Sequence, residues 1–236
     1  WFLLLGLPDS GKSSLLSESS LSMSLDEQVE VDNGVGIAWN FFGDGVVIDV
    51  GGWSFGSDSG SVSAWRRLLR LFVNHRPERP LDGIVLTVAA TDFIGPEALS
   101  PTALIERGTL LQQRLRQLTQ IVGFHLPVYF VLTKCDAIRG FSEFAHELES
   151  SQLEQIFGWS NPYGDKQVFQ PEWIEEAVNS MRITLERVQS SLFAIHEPTP
   201  DRQSMFLFPG SLYALAPSLR IFLSRVMRGS GDIPAP

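Results

Sequence analysis

The chain has 236 residues, 44% of them hydrophobic and 19% charged, with a formal net charge of −9. This is enough apolar material for one sizeable core, or a core with an appended subdomain, and a single domain is the expectation. The acidic balance, with Arg concentrated only in Trp65–Arg70, excludes a nucleic-acid footprint built on phosphate neutralisation, and the single cysteine, Cys135, excludes an internal disulfide and points to a reducing compartment.

The first element is the apolar run Trp1–Leu5, read as a strand. A chain that opens directly on a strand suggests a piece of something longer, and its start has neither the basic flank nor the cleavage site of a secretory signal. "GLPDSGKSS", Gly6–Ser14, follows where the strand gives way to a helix-like stretch. Ile37–Phe42 and Val46–Val50 flank Gly43-Asp44-Gly45 and predict an antiparallel hairpin. Ser54–Ser63 is rich in glycine and serine and reads as a loop, and Trp65–Arg70 as a helix with a basic outer face. Gly83–Ala89 and Leu126–Thr133 are further buried strands. Between them Leu104, Leu111, Leu115, Leu118 and Val122 mark one face of a helix over 102–122.

Glu143, Glu147 and Glu149 read as solvated charge on an exposed helix face. Phe157–Gln170 is the longest irregular region. Pro171, a favoured first-turn residue, opens a helix carrying Ile174, Val178, Met181, Leu185, Val188, Leu192 and Ile195 at spacings of three and four. Ser204–Phe208 is a candidate fifth strand and Ser211–Met227 a final helix. No apolar run approaches the ~20 residues that cross a bilayer. Gly229–Pro236 has linker composition.

Strands alternating with helices predict an α/β fold with a mainly parallel sheet, one antiparallel hairpin strand and helices on both faces. The expected domain spans residues 1–228, with a helical extension from about 171, and 229–236 is a linker or tail.

The Gly6–Ser14 stretch fits G-x-x-x-x-G-K-[ST] through Gly6, Gly11, Lys12 and Ser13. Glycines permit backbone torsions that aim successive amides, here through Asp9, Ser10, Gly11 and Ser14, into a concavity for phosphate oxygens. Lys12 reaches the β- and γ-phosphates and the Ser13 hydroxyl ligates Mg²⁺. The competing reading is a tight strand-to-helix turn with an exposed lysine. In "VVIDVGGW", Asp49 ends a buried run and Gly52 follows at D-x-x-G spacing, in which the carboxylate holds Mg²⁺ and the glycine amide senses the γ-phosphate; the bland alternative is an aspartate capping a loop. ATPases with a catalytic Glu directly after this Asp need it at position 50, which is Val50, and this favours a GTPase-like site.

"VLTKCD" supplies Thr133, Lys134 and Asp136 in the [NT]-K-x-D pattern, where the carboxylate reads guanine and the lysine stem packs on the base. The expected ligand is Mg²⁺ with GTP or ATP, guanine being preferred. Cys135, the variable position, reads as a small filler. A second base-contacting loop falls near Pro209-Gly210-Ser211. The catalytic residues are unassigned: Trp53 occupies the position after the D-x-x-G glycine where Ras-like enzymes carry a water-orienting Gln, and no threonine lies between Ser13 and Leu86 to close on Mg²⁺. Ser17, Ser19, Ser20, Ser22 and Ser24 are the hydroxyls available there. Slow intrinsic hydrolysis is therefore expected.

With these motifs in order, "HRPERPLDGIVLTVAATDF" at His75–Phe93, "LPVYFVLTKCDAIRGFSEFA" at Leu126–Ala145 and "WNFFGDGVVIDVGGW" at Trp39–Trp53 resemble the cytoplasmic domain of the TssM/IcmF family. The likeness covers most of residues 1–145 and, more loosely, Gln155–Trp159. The chain departs from the family pattern at Ile37-Ala38, Val50-Gly51 and Trp53, around the switch regions, and keeps the P-loop. The resemblance implies a nucleotide-binding domain on the cytoplasmic side of the bacterial inner membrane, held by flanking membrane segments outside this chain, with TssL and baseplate proteins of the type VI secretion system as partners.

Overall fold

The structure is a computed structural model that describes residues 1–19, 29–30, 36–56, 58–153, 155–164, 167–195 and 202–228. Its elements in chain order are β1 (Phe2–Leu5), α1 (Lys12–Ser17), β2 (Val29–Glu30), β3 (Ile37–Phe42), β4 (Gly45–Val50), α2 (Ser59–His75), β5 (Gly83–Ala89), α3 (Pro101–Val122), β6 (Val128–Thr133), α4 (Phe141–His146), α5 (Ser150–Leu153), α6 (Glu172–Ile195), α7 (Arg202–Tyr213) and α8 (Ala216–Val226). The chain divides into two compact units. One comprises 1–89 and 110–133, the other 90–109 and the chain from Lys134.

The first unit is built on a six-stranded mixed sheet in the order β2-β3-β4-β1-β5-β6. Four strands, β4, β1, β5 and β6, are parallel neighbours, and β3 pairs antiparallel with both β4 and β2. The sheet is therefore mostly parallel with the predicted antiparallel hairpin at its side. The central strands are apolar runs, the composition usual for parallel strands. Leu3, Leu5, Ile48, Val50 and Leu86 are fully buried, together with Trp65 and Leu69 of α2 and Leu111 and Leu118 of α3. Each such side chain contributes about 1.5–3 kcal/mol by leaving water.

Residues Ser54–Ser63, expected as a loop, are ordered at both ends. Gly52–Phe55 forms a 3-10 turn, and α2 starts at Ser59 because the Asp58 carboxylate accepts from Ser61 N at 2.9 Å. An Asp three residues before an amide it can cap is a helix start, and it outweighs the loop-like composition.

The second unit is helical among its described residues. Ile174, Val178, Leu185 and Leu192 of α6 are buried at spacings of four and seven, and α6 packs against both α7 and α8. The expected strand at Ser204–Phe208 is instead the first half of α7. Its buried residues Met205, Phe208 and Leu212 recur at three and four, whereas Phe206 is 64% exposed. A four-residue apolar run is ambiguous between strand and helix, and here the period of burial decides. For the same reason Pro209-Gly210-Ser211, expected as a base-contacting loop, lies within α7.

Gln203–Val226, which spans α7 and α8, is long and apolar enough to cross a membrane by length and composition. This corrects the expectation that no such run exists. Its apolar residues include Phe208, Leu215, Leu219 and Phe222, all buried, with Phe222 set edge-on to Phe93 at 5.6 Å. The irregular stretch from Phe157 to Gln170 has neither helix nor strand among its described residues.

Pro209 sits inside α7 without an amide hydrogen for the carbonyl four residues back, which belongs to Met205. Gln189, buried on α6, donates its Nε2 to that carbonyl at 2.6 Å. Gln189→Leu, which keeps the volume and removes the donor, should destabilise the protein by about 1–3 kcal/mol, measured as a lower urea midpoint. Adding Pro209→Ala restores an N–H to the orphaned carbonyl and should recover most of the loss.

Candidate functional site

In an open parallel sheet, ligands gather where strands end at their carboxyl side. β1, β4, β5 and β6 all end on this edge. The pairing sets Leu4 beside Asp49, Leu5 beside Leu86, and Ala89 beside Thr133. The loop after β1 thus emerges between an aspartate and two threonines, Thr87 and Thr133.

Gly6 and Gly11 are required by this geometry. A Cβ on Gly6 would lie 2.2 Å from Thr87 Oγ1 and 2.3 Å from Ser10 Oγ, and Gly11 has φ 75°, a left-handed torsion that glycine adopts at little cost. Asp9 takes the same left-handed region at φ 61° despite its side chain. Pro8 and Asp9 are exposed at the loop's tip, while Ser10 is buried beneath it.

Three hydroxyls hold the loop down. Ser10 Oγ lies 3.0 Å from Thr87 Oγ1, which donates to Leu5 O at 3.2 Å, so the serine supplies the proton between the two hydroxyls. Thr133 Oγ1 shares its proton between Ser10 O at 2.7 Å and Val88 O at 3.0 Å. Thr87 was not among the predicted site residues. Its only sequence signal is a hydroxyl in the otherwise apolar Gly83–Ala89, which a strand tolerates for its β-branching alone.

Lys12 opens α1 and folds back on the loop, donating Nζ to Gly6 O at 2.7 Å and Leu7 O at 3.3 Å. Burial lowers its pKa below the usual lysine value, against the opposing fields of Asp49 and Asp9. Asp49, at the end of β4, shows the complementary behaviour: burial raises its carboxyl above the usual value, and Lys12 pulls it back. Its Oδ1 is buried and has no hydrogen-bond partner. An orphaned carboxylate oxygen suits a hard cation with oxygen ligands, and the exposed hydroxyls of Ser13 and Ser14 begin the helix after the loop. Asp49 and Ser13 are the residues that fit Mg²⁺.

Gly52 follows within the same unit, and a Cβ there would meet Pro8 Cγ at 2.8 Å. The D-x-x-G glycine is thus in contact with the loop that follows β1. The first unit brings together Gly6, Asp9, Ser10, Gly11, Lys12, Ser13, Asp49, Gly52 and Thr133. Lys134 and Asp136 begin the second unit. Lys134 has φ 52°, Asp136 lies in the 3-10 turn Cys135–Ala137, and both are exposed. Burial and then Asp136 push the Cys135 thiol up to about 11, so it stays protonated and unreactive at neutral pH. The serines Ser20, Ser22 and Ser24, considered as Mg²⁺ ligands, lie outside the described residues.

A family model described as the IcmF-related N-terminal domain matches residues 59–235. The type VI secretion system component TssM1 of Pseudomonas aeruginosa is 28% identical over 248 residues, which cover 97% of this chain and 21% of that protein. The chain therefore spans about a fifth of the length of that relative. Among solved structures, the cytosolic domain of the T. maritima FeoB iron transporter in apo form is 15% identical with a TM-score of 0.26, covering 95% of this chain and 97% of that one, a likeness that carries no weight.

Asp49→Asn should stabilise the metal-free protein by about 1 kcal/mol, in the range typical when a strained functional group is relieved. The raised carboxyl makes a contribution to stability that is complete below the unfolded value of 3.8 and is lost as pH rises through the folded value. The advantage of Asn should therefore be absent in acid, open above that unfolded value and level off past the folded one, as followed by urea denaturation across pH.

Proposed function

The chain belongs to the TssM/IcmF family, and from that premise we propose that it is a P-loop nucleotide-binding domain of a type VI secretion component, taking GTP or ATP with Mg²⁺ on the cytoplasmic side of the bacterial inner membrane. The observation that carries this reading is the pair formed by Lys12 and Asp49. An ammonium that, among the described residues, donates to two loop carbonyls lies near a carboxylate with one oxygen unsatisfied. A polyphosphate and its cation supply one partner to each.

Lys12 exchanges the Gly6 and Leu7 carbonyls for phosphate oxygens, and Asp49 and Ser13 hold the cation. Mg²⁺ bound there neutralises charge on the phosphates. Gly52 offers its amide at the end of the phosphate chain. Asp136 reads guanine and Lys134 packs on the base; this part of the reading rests on the order of motifs in the sequence. In the assembled system the domain meets TssL and baseplate components, and nucleotide state alters the surface they read.

A second reading, a scaffold that keeps the fold without cycling, is favoured by one specific observation: Trp53 stands where a water-orienting Gln is expected. The two readings separate on partner affinity. A ligand with equal affinity for two states shifts neither, so TssL binding that is the same with GDP, GTP, ATP and no nucleotide supports the scaffold.

Titrating GTP and ATP into wild type, Lys12→Ala and Asp136→Ala tests the site. Lys12→Ala should weaken both nucleotides by about 10- to 100-fold, the loss of a charge-assisted hydrogen bond. Asp136→Ala should weaken GTP alone by about tenfold or more. Unchanged GTP affinity in Asp136→Ala removes the guanine assignment, and a wild type that binds neither nucleotide leaves only the scaffold.

Single-turnover hydrolysis by the wild type should run at or below roughly 10⁻⁴ s⁻¹, the scale of an unassisted Ras-type site. A rate on the order of one per second would contradict the absence of a water-orienting residue.

A further inference from the structure

Arg114 belongs to the part of α3 that lies in the first unit, and it is only 5% exposed. Its guanidinium donates to the Gly56 carbonyl and to Gln117 Oε1 at 2.9 Å. A guanidinium has five N–H donors and keeps its charge. Two neutral acceptors are a small return for burying it, and among the described residues no carboxylate lies within ion-pair distance. The charged groups that face it are Asp58, which attracts it, and Arg66, which repels it.

Gly56 is placed so that this contact has consequences. It directly follows the Gly52–Phe55 turn and precedes Asp58, the cap of α2. At the near end of the turn Gly52 lies close beside Pro8, with no room for a side chain between them. Along its length Ser54 N donates to Gly51 O at 3.1 Å, and Ser54 and Phe55 are buried. At its far end it is fixed by Arg114. With Gly52 already in contact with the loop after β1, a phosphate at the end of that loop needs the turn to move. A single 3-10 turn passes such a movement directly to Gly56.

We propose that Arg114 is a positioning residue that latches Gly56, holding the Gly52–Phe55 turn in its ligand-free place, so that a γ-phosphate is accommodated only as the latch gives way. The proposal rests on the reading of Gly6–Ser14 and Gly52 as a nucleotide site. The latch opposes a triphosphate and not a diphosphate, because only the former reaches Gly52. It therefore acts on the ratio of the two affinities, as any group that stabilises one of two states does.

The test uses the 236-residue protein and two variants. Arg114→Met removes the charge while filling its volume, an exchange that buried ionic groups often tolerate; Arg114→Lys keeps a cation and a donor. In the absence of nucleotide, amides of residues 52–56 and 58 should exchange with deuterium about tenfold faster in Arg114→Met, while those of β1 and β5 stay at the wild-type rate. The ratio of GTP to GDP affinity, with Mg²⁺, should rise about tenfold in Arg114→Met and stay near wild type in Arg114→Lys.

If Arg114→Met does not fold, Arg114→Gln carries the same two readouts with smaller changes in the same directions. An unaltered affinity ratio beside faster exchange overturns the latch and leaves Arg114 a packing residue, and unaltered exchange overturns it outright. A wild type that binds neither nucleotide defeats the nucleotide reading and the affinity effect together, and the exchange of the ligand-free turn then decides the tether separately.

Discussion

Thr133 donates its hydroxyl to the Ser10 carbonyl, while Thr87 meets the Ser10 hydroxyl from the adjacent strand. The loop between β1 and α1 has to be held this way because its backbone is uncomfortable alone. Asp9 stands in the left-handed region, which costs a non-glycine residue roughly 1–2 kcal/mol. Each hydroxyl contact returns about 1 kcal/mol net, so two of them offset the strain, and neither alone would do so with margin. The same constraint makes Gly6 obligatory, since the space a side chain would need is occupied by the hydroxyls that do the holding.

The charges above that loop are arranged so that neither is satisfied by the other. Lys12 and Asp49 feel each other's field, yet they form no ion pair, and Lys12 Nζ turns to carbonyls instead. Burial pushes both toward their neutral forms, and their mutual attraction opposes it. A bound anion at Lys12 and a cation at Asp49 would relieve both groups at once. That complementarity distinguishes this arrangement from a strand-to-helix turn with a solvated lysine, in which the ammonium would have water and no need of two backbone oxygens.

Much of the sheet was legible because buried parallel strands carry their signal locally. The runs at Trp1–Leu5, Gly83–Ala89 and Leu126–Thr133 each contain the strand that forms there, Val46–Val50 gives all of β4 but its first residue Gly45, and Gly43-Asp44 turns the predicted hairpin. The placement of Asp49 and of the Gly6–Ser13 loop at one sheet edge was likewise carried by their positions at the ends of β4 and β1. What was hidden depends on partners far along the chain. Ser204–Phe208 was a candidate strand, whereas α7 runs through Pro209, where Gln189, twenty residues upstream, satisfies the freed carbonyl. Thr87 lies in a run read only as a buried strand, and Arg114 in a helix read only from its apolar face. Their roles appear only when Ser10 and Gly56, 77 and 58 residues away, come into contact with them.

The family model and the proposed phosphate-binding residues occupy different stretches of this chain. The residues matched by the family model begin at Ser59, downstream of the loop after β1, of Asp49 and of Gly52, whereas the likeness to TssM1 runs over 97% of the chain. The distinction between switch and scaffold therefore falls on the upstream residues. A purely architectural domain has no use for a buried carboxylate oxygen without a partner, because leaving such a group unsatisfied costs on the order of 1–3 kcal/mol, and Asn or an apolar residue at the same place would be more stable. The chain keeps Asp49 at the end of β4, beside a lysine and a glycine loop held at the same sheet edge. Among the described residues Ser54 Oγ and Trp65 Nε1 are also buried without a partner, but both groups are neutral; the Asp49 oxygen belongs to a carboxylate, whose unmet charge is what a bound cation would relieve.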